Sequence, residues 1–231
     1  MLRPWTILLL SLAWAQSLES ANSYIGFTLG GTLPSGSSAA KSFTYPTHGY
    51  LNNGAALGLQ VTTFIAPYLS LNLRLSQSFL PMDSKALHKR GHLFPEPVQI
   101  EKNLQLSHTT IGFGVGTGAR WDFLSAYIPL YFAIGAYAAP EIQGLVNPNR
   151  TWVQEKHSTI QVGLSTGLIL NFHVIENFPI GLSILYTSLR SNDKPFERKR
   201  YDRGNIDRTF LYRAPIRTDL TEVGLLIGYE F

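Results

Sequence analysis

The chain has 231 residues, a formal net charge of +4, 45% hydrophobic and only 15% charged residues, and no cysteine. A disulfide-stapled scaffold and an N-terminally lipidated anchor are thereby excluded, since both need a thiol. A membrane-spanning helix is excluded too, because beyond the first residues every apolar stretch is interrupted by Gly, Ser, Thr or Asn before a bilayer could be crossed.

Reading in chain order, Arg3 precedes an apolar run from Thr6 to Trp14 with small residues at Ala13 and Ala15. A basic start, a short apolar core and a small-residue site predict a secretory signal peptide over residues 1–15 and a mature domain over 16–231. From there a period of two dominates, placing alternate side chains on opposite faces of a strand. Eight such segments follow. Ile25, Phe27 and Leu29 alternate with Gly26, Thr28 and Gly30; Leu57, Leu59 and Val61 with Gly58, Gln60 and Thr62; and Leu69, Leu71, Leu73 and Leu75 with Ser70, Asn72, Arg74 and Ser76. Ile111, Phe113 and Val115 oppose a row of glycines at 112, 114, 116 and 118, and Ile128, Leu130, Phe132 and Ile134 oppose Pro129, Tyr131, Ala133 and Gly135. The sixth segment sets Ile160, Val162, Leu164, Leu168 and Leu170 against Gln161, Gly163, Ser165, Gly167 and Asn171. Ile180 to Tyr186 and Val223 to Phe231 complete the series, with Ile169, Leu185 and Leu226 breaking the polar side.

Connections alternate between short and long. Short ones lie near Ala66-Pro67, Asp122 to Ala126 and Val174 to Pro179, and the others are much longer. Together with a polar face built from Gly, Ser, Thr, Asn and Gln, this predicts an all-β, eight-stranded, antiparallel up-and-down transmembrane β-barrel with short periplasmic turns and long outer loops. The glycine row makes room in a narrow interior, or else marks a bulged strand. At the C-terminus, Leu225, Ile227, Tyr229 and Phe231 form an outward stripe that is similar to the signal read by the barrel-insertion machinery; Tyr229, Phe231, Trp121 and Phe172 are expected in an aromatic girdle.

The stretches Tyr24–Gly31, Gly58–Ser78, Tyr127–Ala138, Gly163–Leu189 and Val223–Phe231 resemble the PorT-like family of small outer-membrane β-barrels in strand rhythm and glycine placement. That resemblance implies the fold and a bacterial outer-membrane location. It carries no functional residues onto this chain.

Parity places Arg74, Glu222, Arg120, Asp122, Glu230 and His108 on the polar face. Eight strands leave a lumen just wide enough to be filled by side chains, so charges there must pair. Arg74 is expected beside Glu222, and Arg120 beside Asp122 or Glu230. Between Arg190 and Arg217 lie nine basic and four acidic residues, a balance of 9 − 4 = +5. Within it, Arg198, Lys199, Arg200 and Arg203 form an expected anion-binding loop for lipopolysaccharide phosphates or an acidic polymer. Nucleic acid is an unsuitable partner in that compartment, and no cofactor is expected. For a lipid-modifying enzyme, His48 with Asp83-Ser84 supplies the residue types only loosely, and Ser107-His108 and His157-Ser158 lack the required spacing. His88 and His92 have the spacing of a helical zinc pair without an acidic third ligand. The leading expectation is a non-enzymatic outer-membrane barrel acting through its outer loops or through envelope and secretion partners; a narrow solute channel and a lipid A-modifying enzyme are the alternatives.

Overall fold

The computed structural model describes residues 23–39, 51–66, 68–84, 98–100, 104–192 and 194–231. The expected signal peptide over residues 1–15, His48, His88 and His92 lie outside the described residues. Eight strands close into one barrel: β1 (Ser23–Pro34), β2 (Gly54–Ala66), β3 (Leu69–Pro81), β4 (Gln105–Arg120), β5 (Leu124–Ala139), β8 (His157–Ile175), β9 (Phe178–Arg190) and β12 (Arg217–Glu230). Every neighbouring pair is antiparallel, and β1 seals against β12 with Ile25 opposite Tyr229 and Thr32 opposite Glu222. Closure leaves the barrel wall without an edge strand, which is how a sheet can satisfy its backbone groups in hydrocarbon.

Alternation sets which way the wall faces. Leu71, Leu73 and Leu75 are 49%, 52% and 44% exposed, whereas Asn72, Arg74 and Ser76 between them are 4–5% exposed. Ile111 to Val115, Ile128 to Ile134, Ile180 to Ile184 and Val223 to Ile227 repeat the pattern around the circumference. The apolar face therefore points outward over a continuous belt, far beyond the apolar patches a water-soluble surface carries. Tyr229, Phe231, Trp121 and Phe172 are all outward and exposed near the end where the three short turns lie, joined there by Phe123 and Phe178.

The glycine row belongs to a straight strand. β4 pairs with β5 in unbroken register from Ser107–Ala138 to Arg120–Ser125, so no bulge interrupts it. A Cβ on Gly112 would meet the Tyr131 side chain at 3.1 Å; glycine there leaves the space that this inward ring fills.

Two of the long connections are not loops. β6 (Ile142–Asn147) with β7 (Arg150–Gln154), and β10 (Lys194–Asp202) with β11 (Asn205–Ala214), form hairpins that join through β7 and β10 into a second, four-stranded sheet ordered β11-β10-β7-β6. The short helix α1 (Gly36–Ala39) lies in the first long connection. Beneath the second sheet, Leu51, Leu80, Met82, Val98, Leu106, Tyr137, Trp152, Ile216 and Leu220 form an apolar core drawn from strand ends, connections and hairpins. A globular cap thus sits over the barrel mouth.

Candidate functional site: a filled lumen and its outer sheet

From the short-turn end upward, the interior is a stack of layers. At the floor, Arg120 Nη2 donates to Glu230 Oε2 at 3.1 Å, His173 Nδ1 lies 3.4 Å from Glu230 Oε1, and His173 Nε2 lies 3.1 Å from Ser125 Oγ. Asp122 takes no part in this floor: it sits exposed in the β4–β5 turn, where the inward-outward alternation has already ended, so Glu230 is the partner of Arg120. Ser125, His173 and Glu230 follow the order of a nucleophile relay. The Glu230 carboxylate is nevertheless shared with Arg120, its contact with His173 is long, and Ser125 is 6% exposed, so the row closes the floor rather than presenting a nucleophile.

Above it, the Gln60 amide donates to Tyr24 Oη and Tyr127 Oη, both at 3.0 Å. Thr62 Oγ1 donates to Asn72 Oδ1 at 2.8 Å, and Asn72 Nδ2 to Ser70 Oγ at 3.0 Å. The three residues that break the polar rhythm, Ile169, Leu185 and Leu226, meet there with Tyr24, Tyr127 and Tyr131 as one dry cluster. These inward apolar residues serve the lumen as packing.

The middle layer holds Arg74 and Glu222. Arg74 Nη2 donates to Glu222 Oε2 at 2.7 Å and Ser78 Oγ to Glu222 Oε1 at 3.0 Å, with side-chain exposures of 6% and 9% for the ion pair. The interstice beside them, lined by Thr28, Gly58, Ser183 and Gly224 among others, leaves about 190 Å³ between atoms and nowhere wide enough for a water molecule.

His108 stands apart from the charges. Its Nε2 lies 3.2 Å from Gln161 Oε1 and its Nδ1 3.2 Å from Thr110 Oγ1, while Thr218 donates to the same Gln161 oxygen at 3.0 Å. With the Gln161 Nε2 donating to the Ile216 carbonyl at 2.9 Å, the network is satisfied by a neutral ring protonated on Nε2. The apolar cap closes the stack.

The basic run does not present its four cations together. As part of β10 it alternates: Arg198 is 2% exposed with Nε donating to Gln154 Oε1 at 2.9 Å, and Arg200 is 8% exposed, with Nε donating to Asp207 Oδ2 at 2.8 Å and its guanidinium 5.8 Å from the Trp152 ring centre. Lys199 faces the other way, between Glu155 at 2.5 Å and Glu197 at 3.3 Å. These hydrogen bonds, that to Glu155 first, hold the Lys199 ammonium above its ordinary range, and the hydrogen bond from Arg200 holds the Asp207 carboxyl below its own. Arg203 is exposed at the hairpin tip, with φ 50° and its N–H donating to the Asn149 carbonyl at 2.7 Å. It borders an open groove of about 530 Å³ lined by Glu141, Gln143, Asn149, Thr151 and Tyr201. An anion-binding role for the run as a whole conflicts with this burial and pairing; Arg203 alone remains presented to solvent.

Sequence reasoning missed His173, whose odd number already put it on the inward face of β8, and Gln60 as the hub of its layer. It also missed Asp219, which parity assigns to the outward face but which is 1% exposed, accepting from Ser188 Oγ at 2.6 Å, from Arg217 Nε and from the Tyr186 hydroxyl.

No protein-family description matches this chain, and no curated protein matches it. Among solved structures, it is similar to the outer membrane protein OprG from Pseudomonas aeruginosa at 10% identity and a TM-score of 0.53, over 94% of this chain and 98% of that one. It is also similar to Ail of Yersinia pestis, solved with the heparin analogue sucrose octasulfate, at 14% identity and a TM-score of 0.49 over 92% and 100%. The outer membrane protease OmpT from Escherichia coli aligns at 11% identity and a TM-score of 0.48 over 93% and 99%. At such identities the OprG likeness speaks for fold alone.

Proposed function

We propose that this chain is exported by removal of residues 1–15, inserted in the bacterial outer membrane, and works there as a non-conducting, non-enzymatic barrel whose capped outer end is its interaction surface. Tyr229 and Phe231 are the terminal signal for the barrel-insertion machinery in this reading, and the outward belt is solvated by outer-membrane lipid, lipopolysaccharide included. The observation that carries the proposal is the layered packing of the interior among the described residues, from the Arg120–Glu230 floor through Arg74–Glu222 to the apolar cluster at the outer end. The interstice beside Arg74 and Glu222, too narrow for a water molecule, supports a closed lumen, and the four-stranded sheet at the far end supports an interaction surface there. An accessory role beside other envelope or secretion proteins fits such a platform and the PorT-like resemblance.

Single-channel recording on the purified protein in planar bilayers tests it. The expected record is a flat baseline at the applied potential. Discrete conductance steps, reproduced across preparations and absent from a mock-purified control, would refute the filled-lumen reading. Co-purification from native membranes under gentle solubilisation is expected to return envelope proteins in stoichiometric amount.

A further inference from the structure

We propose that the outer rim of the β9–β12 wall is a seat for the phosphate of an outer-leaflet lipid, the lipid A part of lipopolysaccharide, with Arg190 as its primary ligand. The inference rests on the outer-membrane reading above and adds a place and a chemistry to it.

Arg190 and Arg217 are direct cross-strand partners, and the burial alternation of β9 and β12 puts both on the outward face. Like charges directly opposite one another destabilise a strand pair, so the arrangement calls for an anion. Asp219 supplies one, but its carboxylate already accepts from Arg217, Ser188 and Tyr186, with its backbone N–H taken by Ser38 at 2.9 Å under α1. Arg190 forms no ion pair among the described residues. The Arg190 guanidinium is therefore left without a carboxylate among the described residues and is exposed on the outward face.

Height and surroundings define the ligand. Arg190 lies four residues beyond Tyr186, about 13 Å farther along the strand, where the belt of β9 has given way to polar residues. Beside it the wall remains greasy: Val162 is the cross-strand neighbour of Arg190 on β8, and Ile160, Val162 and Leu164 are 67%, 51% and 56% exposed. A cation with exposed aliphatic side chains beside it at Val162 and on its membrane side at Leu164 is the complement of a phosphorylated amphiphile, its phosphate bridging guanidiniums by charge-assisted hydrogen bonds and its chains lying on the wall. A soluble phosphate would use the first half of this surface and leave the second unexplained.

The experiment uses full-length mature protein refolded into phosphatidylcholine vesicles, with folding scored first by protease protection and heat-dependent gel migration. Binding of bisphosphorylated lipid A, dephosphorylated lipid A and inorganic phosphate is then measured for the wild type, Arg190→Gln, Arg190→Lys and, as a cation control elsewhere on the outer end, Arg203→Gln. The expectation is that Arg190→Gln weakens binding of phosphorylated lipid A at least tenfold, Arg190→Lys recovers part of it, Arg203→Gln leaves it within twofold, and dephosphorylated lipid A binds all four alike. Equal affinity of wild type and Arg190→Gln for phosphorylated lipid A overturns the site while leaving the membrane reading intact, as does inorganic phosphate binding as tightly as the lipid. Failure of the wild type to fold into vesicles overturns the membrane reading itself.

Discussion

Replacing Arg74 with Met removes a cation whose partner cannot escape. The Glu222 carboxylate is 9% exposed, keeps one hydrogen bond from Ser78, and has no water-sized space beside it. Stranding one member of a buried pair costs about 3–5 kcal/mol, the larger part being the charge left without a counter-ion. With roughly 2–4 °C per kcal/mol for a chain of this size, the unfolding midpoint should fall by roughly 6–20 °C. The assay is loss of heat-dependent gel migration, cross-checked by urea unfolding in vesicles at matched lipid composition. Arg74→Met/Glu222→Gln should regain most of the loss, because a neutral amide can accept from Ser78 and no charge remains. An Arg74→Met midpoint within 2 °C of wild type, or a double variant no better than the single, would refute the claim that this layer is a desolvated ion pair.

Leu73→Arg puts a charge in the middle of the outward belt, at a residue 52% exposed; it should cost about 2–4 kcal/mol in lipid and reduce the folded fraction in vesicles, which gel migration reports. Gly112→Ala sets a methyl 3.1 Å from Tyr131 and should lower stability by about 1–3 kcal/mol through overpacking, read from the same melting curves. Asp207 titrates below its ordinary range because of Arg200; its contribution is present above the unfolded carboxyl pKa and is lost as pH falls through the depressed folded value. Trypsin resistance of the β10–β11 hairpin should therefore hold from neutral to mildly acidic pH in the wild type after brief acid exposure, whereas Asp207→Asn should be cut more readily already at neutral pH; identical digestion rates would count against that pairing.

Much of the barrel was legible in sequence because a strand repeats every two residues and the outer solvent of this wall is uniform. Leu71, Leu73 and Leu75 face outward for the same reason as Ile180, Leu182 and Ile184, so each strand announces itself independently. Facing direction is also enough to put Arg74 and Glu222 inside, and their separate strands are brought together by the closure of the sheet. The outer sheet was not legible. Lys194 to Asp202 reads as a charge run, and its strand character depends on β7 and β11 accepting its backbone and on Gln154, Asp207 and Trp152 receiving Arg198 and Arg200.

By itself, then, local sequence determined the number of barrel strands, their facing and the closing aromatic stripe, since these depend on side-chain alternation against a single apolar solvent. Tertiary structure alone decided that Glu230 rather than Asp122 meets Arg120, that Ile169, Leu185 and Leu226 converge on one dry layer, and that two distant hairpins pair above the mouth. Those outcomes turn on which strands become neighbours when the sheet closes, a relation between remote residues that no local period encodes.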